Sequence, residues 1–458
     1  MRDKTDLLVI GAGPGGYACA FRAADLGRDV TVVDARETLG GVCLNEGCIP
    51  SKALLHAAET LRDAAHMGAW GITFGAPKID LDALRARKND IVSQLTGGLG
   101  GIAKRRKVRR VQGTARFSGA NTVEIDGTEM RFDQAVIAVG SAPIRLAGWP
   151  EDARIWDSTA ALELREVPDT LAIVGGGIIG LEMATIYSAL GSQVTVVELA
   201  GQIAPGADAQ AVAILHAALT AQGVTVHTAT RVDAVAATAS GLTLTCSGHF
   251  KGRITADAVI QSVGRRANGD RINAQAAGLT VTDRGTIEAD ATGRTRLPHI
   301  FAIGDVTGNP MLAHRATHQG HIAAEVATGH TAALGTTLVP SVAYTSPELA
   351  WVGLTEAQAK ADGHPAKATS FPWAASGRNL ASGGGDGMTK LIYHPQTHRL
   401  LGGTIVGRNA GELLAEITLA IEMGATLDDI GLTVHAHPTL SETVAFAAEK
   451  ALGTLTDL

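Results

Sequence analysis

The hydrophobic positions of this chain gather into short runs closed by glycine, and these alternate with longer stretches of helical spacing. The first run, "DLLVIGAGPGG", predicts a strand over Leu7 to Ile10 and a glycine turn from Gly11 to Gly16. The helix-like "YACAFRAADLG" follows, and then a second strand, "DVTVVD", ending on Asp34. The whole unit returns as "LAIVGGGIIGLEMATIYSALGSQVTVVE", with Gly175, Gly177 and Gly180 in the turn and Glu198 at the close. In both units the acid follows the first glycine by 23 residues, which argues against two unrelated tight turns in a generic α/β fold.

Each turn fits G-x-G-x-x-G between a strand and a helix, and the glycines have separate tasks. Gly11 and Gly175 allow the tight turn, Gly13 and Gly177 let backbone approach a pyrophosphate, and Gly16 and Gly180 permit close packing of helix on strand. The helix N-terminus then offers N–H groups and a partial positive charge to the phosphates. Asp34 and Glu198 stand where an acid accepts hydrogen bonds from a ribose diol. Short apolar strands ending in glycine, "QAVIAVGSAP" and "DAVIQSVGRRAN", match one another later in the two units. The stretch from Gly40 to Gln134 is then a long insertion in the first unit.

The most apolar run, Leu171 to Gly191, is long enough to be tested as a membrane span. It fails, because three consecutive glycines and Glu182 lie within it, and a strand, a turn and a buried helix account for every residue. A net charge of -6 leaves no basic footprint for nucleic acid, and "AKRRKVRR", Ala103 to Arg110, reads as a solvated helix end. The 458 residues suffice for more than one buried core. They include 55 glycines, without any collagen-like period, so many close backbone approaches are expected.

Only four cysteines occur, and two of them, Cys43 and Cys48, share "GGVCLNEGCIPSK". A metal clip, a structural disulphide and a disulphide made and broken in turnover all compete for this pair. Zinc and iron–sulphur sites want four ligands, whereas Cys19 and Cys246 are solitary and distant in sequence. A disulphide closing so short a loop would constrain the unfolded chain by only about 2 kcal/mol. The first strand begins within a few residues of Met1, leaving no room for a secretory leader, so a reducing cytoplasm is expected. There, a close pair favours redox work. Two dinucleotides and a dithiol suggest an electron relay, since thiols exchange hydride with NAD(P)H poorly unless a flavin mediates. FAD is expected in the first unit and NAD in the second, because Glu198 has no arginine after it to hold a 2′-phosphate.

With these runs, "HIFAIGDVTGNPMLAHRATHQG", "YTSPELAWVGLTE" and "HAHPTLSET" resemble, along nearly the whole chain, the pyridine nucleotide–disulphide oxidoreductases. Within that family the likeness is to enzymes that oxidise dihydrolipoamide. It implies an α/β fold with two Rossmann-like dinucleotide-binding domains and a C-terminal α+β interface domain. The expected boundaries are 1–145 for FAD binding, 146–270 for NAD binding, 271–338 for a central domain completing the FAD site, and 339–458 for dimerisation. The resemblance implies that Cys48 faces the flavin and Cys43 exchanges with substrate, that Lys52 sits at the flavin's reactive nitrogen with Glu182 as its partner, and that Asp305 holds the ribityl chain. Gly11, Gly13, Gly16, Asp34, Gly113, Gly140 and Ala313 complete the expected FAD contacts, and Gly175, Gly177, Gly180, Glu198 and Gly264 those of NAD.

His437 and Glu442 resemble the family's base pair, and dithiol oxidation needs one, because thiols are mostly protonated at neutral pH. His435 is expected to be structural. His314, His318 and His321 could line a helix face as metal ligands, but the likeness places that helix at the flavin, and no metal is expected. Glu46, between the cysteines, would oppose a thiolate if close. Ala267 stands where the family commonly has proline. The implied partners are a second copy of the chain and the lipoylated acyltransferase of a 2-oxo acid dehydrogenase complex, with no nucleic acid or membrane. No lipoyl-type domain is expected ahead of the first strand. The competing readings are a reductase of glutathione-like disulphides and an idle subunit that only binds the acyltransferase core.

Overall fold

The computed structural model describes residues 3–335 and 338–456, which pack as two compact units. The first comprises Met1–Ala53, Asp80–Ile144 and Gly264–Thr337. Its seven-stranded sheet runs Arg109–Gln112, Val30–Asp34, Lys4–Ile10, Thr128–Ile137, Thr122–Ile125, Ala115–Gly119, with Ile300–Ala302 also pairing Thr128–Ile137. Alternation along Lys4–Ile10 decides which face each side chain takes. Leu7 and Val9 join one core with Phe21, Val136 and Phe301, while Leu8 and Ile10 join a second with Phe117, Phe132 and Ile137. Thr128–Ile137 serves two purposes, since its first half closes an antiparallel hairpin and its second runs parallel to Lys4–Ile10 and Ile300–Ala302. Helices Pro14–Asp25 and Ala313–Ala327 cross closely because Gly320 has no Cβ to meet the Gly15 carbonyl.

The second unit comprises Leu54–Ile79, Arg145–Val263 and Leu338–Leu458. Its parallel sheet runs Thr225–His227, Gln193–Val197, Thr170–Val174, Ala258–Gln261, Ile155–Trp156, beside a three-stranded antiparallel sheet over residues 230–256. The apolar run tested as a membrane span becomes strand Thr170–Val174, a turn, and helix Ile178–Leu190. Among the described residues no helix is long and apolar enough to cross a membrane. A five-stranded antiparallel sheet in the order Ser341–Ala343, Glu348–Gly353, Leu400–Gly407, Met388–Tyr393, Lys367–Pro372 follows. It shares a core with helices Ala410–Glu422 and Glu442–Leu452. Trp373 fills its centre, and Gly407 leaves room for the indole. Lys390, with a side chain 4% exposed, joins this sheet to helix Ala209–Ala221 by donating to Asp208 at 2.8 Å, to Glu356 at 2.7 Å and to Gln210 at 3.0 Å.

The expected fold class is therefore present: two dinucleotide-type sheets and a C-terminal α+β sheet. Packing divides the chain differently from the sequence-based boundaries. Residues 264–270 belong with the first unit, because strand Arg265–Ala267 pairs with Ser141–Pro143. Residues 54–79 belong with the second. The basic run is only half a helix end: Leu81–Arg105 stops there, and Arg109–Gln112 is an edge strand of the sheet.

Candidate active site

The two glycine turns are built alike down to single hydrogen bonds. In the first unit Gly11 (φ +102°) donates to Val33 and sits so close to the Ala138 carbonyl that a Cβ would overlap it. In the second, Gly175 (φ +109°) donates to Val197 and lies equally close to the Ser262 carbonyl. A Cβ on Gly16 or Gly180 would overlap the carbonyl of the first glycine of its own turn. The middle glycines differ in kind. A Cβ on Gly13 would meet only Gly41 Cα at 4.0 Å, and on Gly177 nothing within 4 Å. Both are N-caps without a side-chain cap, so the first-turn N–H groups of helices Pro14–Asp25 and Ile178–Leu190 lack that partner beside open space. These cradles fit a dinucleotide pyrophosphate each.

The acids hold the turns as well as facing them. Asp34 Oδ2 accepts from Ala12 N at 2.7 Å and Oδ1 from Arg36 N at 2.9 Å. Glu198 Oε2 accepts from Gly176 N at 2.5 Å and Oε1 from Ala200 N at 2.7 Å. Each oxygen keeps a further lone pair for a ribose hydroxyl. Gly113 N donates to the Asp34 carbonyl at 2.9 Å, which brings Gly113 to the first cradle. Gly140 (φ +66°) and Gly264 (φ +125°) take positive φ immediately before strands Ser141–Pro143 and Arg265–Ala267, and Ala313 opens helix Ala313–Ala327.

Asp305 follows strand Ile300–Ala302 on a short turn of helix. Sequence reasoning missed its support. Ser141 Oγ donates to Asp305 Oδ2 at 2.5 Å, and the Arg265 guanidinium grips Ser141 through Oγ and the carbonyl oxygen, both at 2.7 Å. Their only signal was position, since each directly follows a glycine, Gly140 or Gly264, and opens the strand after it.

Cys43 lies in the short helix Gly41–Glu46 and Cys48 opens helix Cys48–His66. A Cβ on Gly41 would sit 2.6 Å from Gly13 Cα, so glycine on both sides lets the cysteine helix rest against the first turn. The two cysteine side chains are hydrogen-bonded to one another. That bond, and then burial, push the Cys43 thiol far above its ordinary range, while the Lys52 ammonium pulls it back. Tyr17 is near enough for a Cys43 charge to oppose its ionisation, an effect second to burial. Glu46 is paired with Arg36, Nη2 to Oε2 at 2.8 Å, which balances the charge expected to oppose a thiolate.

In the second unit His437 Nδ1 and Glu442 Oε1 are 2.8 Å apart, and Glu442 Oε2 accepts from Thr439 N at 2.7 Å. The carboxylate side chain is 12% exposed and the imidazole 81%. His435 uses both ring nitrogens, on Glu416 at 2.6 Å and on the Thr433 carbonyl at 2.9 Å, as a structural histidine does. Glu182 is buried on helix Ile178–Leu190 and accepts from Tyr344 N at 3.3 Å.

Residues 5–320 match the family model described as pyridine nucleotide-disulphide oxidoreductase, and residues 339–448 match that family's dimerisation domain. A dihydrolipoyl dehydrogenase of Vibrio cholerae is 52% identical over 99% of this chain and 97% of its own length. One from Haemophilus influenzae is 52% identical over 99% and 96%. Among solved structures, LpdA of Mycobacterium tuberculosis superposes with a TM-score of 0.88 at 26% identity, covering 97% of this chain and 99% of that one. By these matches, over both dinucleotide segments and the C-terminal sheet, the chain belongs to the pyridine nucleotide–disulphide oxidoreductase family, on its dihydrolipoyl dehydrogenase branch.

Proposed function

We infer that the chain oxidises dihydrolipoamide to lipoamide and reduces NAD+ to NADH and a proton, with FAD in the first cradle and NAD in the second. The observation that carries this reading is the hydrogen-bonded pair Cys43 and Cys48, with the helix that bears Cys43 resting against the first glycine turn. FAD, when bound, supplies two-electron passage between thiols and nicotinamide. Asp34 and Gly13 would hold its adenosine side and Asp305 its ribityl chain, while Glu198 and Gly177 would hold NAD.

In the oxidised protein the pair is a disulphide. A substrate thiolate attacks Cys43 sulphur, which breaks the Cys43–Cys48 bond and releases Cys48 as thiolate. The second substrate sulphur then attacks the first, closing lipoamide and freeing Cys43. His437 takes the proton of the attacking substrate thiol, the second thiol's proton goes to the departing Cys43 sulphur, and Glu442 orients the imidazole and favours its charged form. Lys52 supplies positive charge beside the pair.

Two copies assemble through residues 339–458, and we place His437 of the partner subunit at each Cys43. The lipoyl group would arrive on the acyltransferase of a 2-oxo acid dehydrogenase complex, in the cytoplasm. The deciding assay compares NAD+ reduction by dihydrolipoamide with NADPH oxidation by glutathione disulphide. Activity confined to the second would replace this reading with a glutathione-type reductase.

A further inference from the structure

Glu46 closes the helix Gly41–Glu46 one turn after Cys43 and two residues before Cys48. Side chains three apart on a helix lie about 5–6 Å from one another, near enough for a carboxylate to disfavour a thiolate. The chain supplies a counter-charge from another element. Arg36, in the loop after strand Val30–Asp34, donates Nε to Glu46 Oε1 at 3.3 Å and Nη2 to Oε2 at 2.8 Å, a forked pairing that fixes both groups. Arg36 is itself anchored, because its backbone N–H donates to Asp34 Oδ1 while Asp34 Oδ2 holds the glycine turn through Ala12. One continuous line of bonds thus leads from the turn through Asp34 and Arg36 to Glu46 on the cysteine helix. The two side chains are 37% and 32% exposed, so their charges are neither dry nor fully screened.

We propose that Arg36 is a positioning residue for the dithiol, cancelling the Glu46 charge beside Cys43 and Cys48 so that a thiolate stays accessible at neutral pH. Two other groups act on these sulphurs from neighbouring elements. Lys52, on helix Cys48–His66, favours a thiolate, and Tyr17, on helix Pro14–Asp25, interacts with Cys43 as a neutral phenol. Neither removes the need to balance Glu46. The proposal rests on reading Cys43 and Cys48 as the redox pair.

The test is the pH dependence of iodoacetamide alkylation of the two thiols in the reduced holoenzyme, read peptide by peptide. Arg36→Met should move the reactive thiol up by about half to one pH unit, the effect of leaving one carboxylate about 5–6 Å away unbalanced at an effective dielectric between protein surface and water. Glu46→Gln leaves Arg36 unbalanced and should move it down by a similar amount. The double variant should return close to the unsubstituted protein. Single variants that shift in the same direction, or a double variant that keeps the whole Arg36→Met shift, overturn the proposal. If Arg36→Met loses flavin, the sign of the Glu46→Gln shift decides alone. Failure of the underlying reading looks different: dihydrolipoamide would then not reduce the pair in the unsubstituted protein, whatever its thiol titration.

Discussion

His435 and His437 stand two positions apart, and the chain around them sets them to different work. His435 is held at both nitrogens with its ring 8% exposed, whereas His437 is bound at Nδ1 by Glu442 and presents Nε2 outward. His437→Gln should lower dithiol oxidation by about 10²- to 10⁴-fold, the usual contribution of a general base. His435→Gln should cost less than about tenfold in kcat and appear in thermal stability instead. Equal losses of kcat in the two variants would remove His437 from the proposed role. The His437 and Glu442 motif was legible in the sequence through its family likeness. The Arg36 to Glu46 pair was not, because it joins two elements whose approach only the folded chain determines. Cys19, wholly buried, adds a pH dependence of known sign. Burial raises its thiol to about 12 from 9.0, so as pH climbs between those values the unfolded chain gives up a proton that the folded chain keeps. Stability should fall through that window, and the fall should be shallower in Cys19→Ala by urea titration at pH 8 and pH 11.

At the scale of elements the glycines of a fingerprint are not interchangeable, although the sequence writes them identically. Gly180→Ala would drive a methyl into the Gly175 carbonyl, and the turn has to open or the helix to shift. Gly177→Ala meets no protein atom within 4 Å, and its extended backbone suits alanine. Its methyl instead projects into the space assigned to the pyrophosphate. Gly177→Ala should therefore raise the KM for NAD+ at least about tenfold, the effect of losing roughly 1.4 kcal/mol of binding, with little change in Tm. Gly180→Ala should lower Tm first. An unaltered KM in a well-folded Gly177→Ala protein would move the nucleotide elsewhere. The spacing of glycines and acids makes both turns legible in the sequence alone. It could not show that Asp34 and Glu198 hold their own turns through Ala12 and Gly176, since those bonds need the strand end and the turn brought together.

At the scale of the molecule, packing rather than sequence order draws the units. Residues 54–79 pack with segments that follow much later, and no change in hydrophobic pattern marks the break, because helix Cys48–His66 runs straight through it. Lys390 binds two distant stretches of the second unit, and Lys390→Met would leave the 6%-exposed Asp208 carboxylate without its cation. Such a loss typically costs about 3–5 kcal/mol, so a large drop in urea midpoint is expected. Dimerisation makes its own demand. If the proposed site is shared between subunits, Cys43→Ser and His437→Gln homodimers should each be nearly inactive, while mixed dimers recover up to about half of native activity per dimer, since one of two sites would be intact. No recovery after verified subunit exchange would place His437 and Cys43 of one chain in the same site.

The ribbon of Ser141–Pro143 and Arg265–Ala267 has a consequence for how such a chain can be assembled. Residues 145–263 leave the first unit at Ile144 and the chain returns at Gly264, and these two residues share a hydrogen bond, Ile144 N to Gly264 O at 3.0 Å. The second dinucleotide segment is thus spliced in between neighbouring backbone positions, as a cassette with both ends at one socket. The ribbon, and not the insert, fixes where the chain resumes, because strand Arg265–Ala267 pairs with Ser141–Pro143 whatever lies between them.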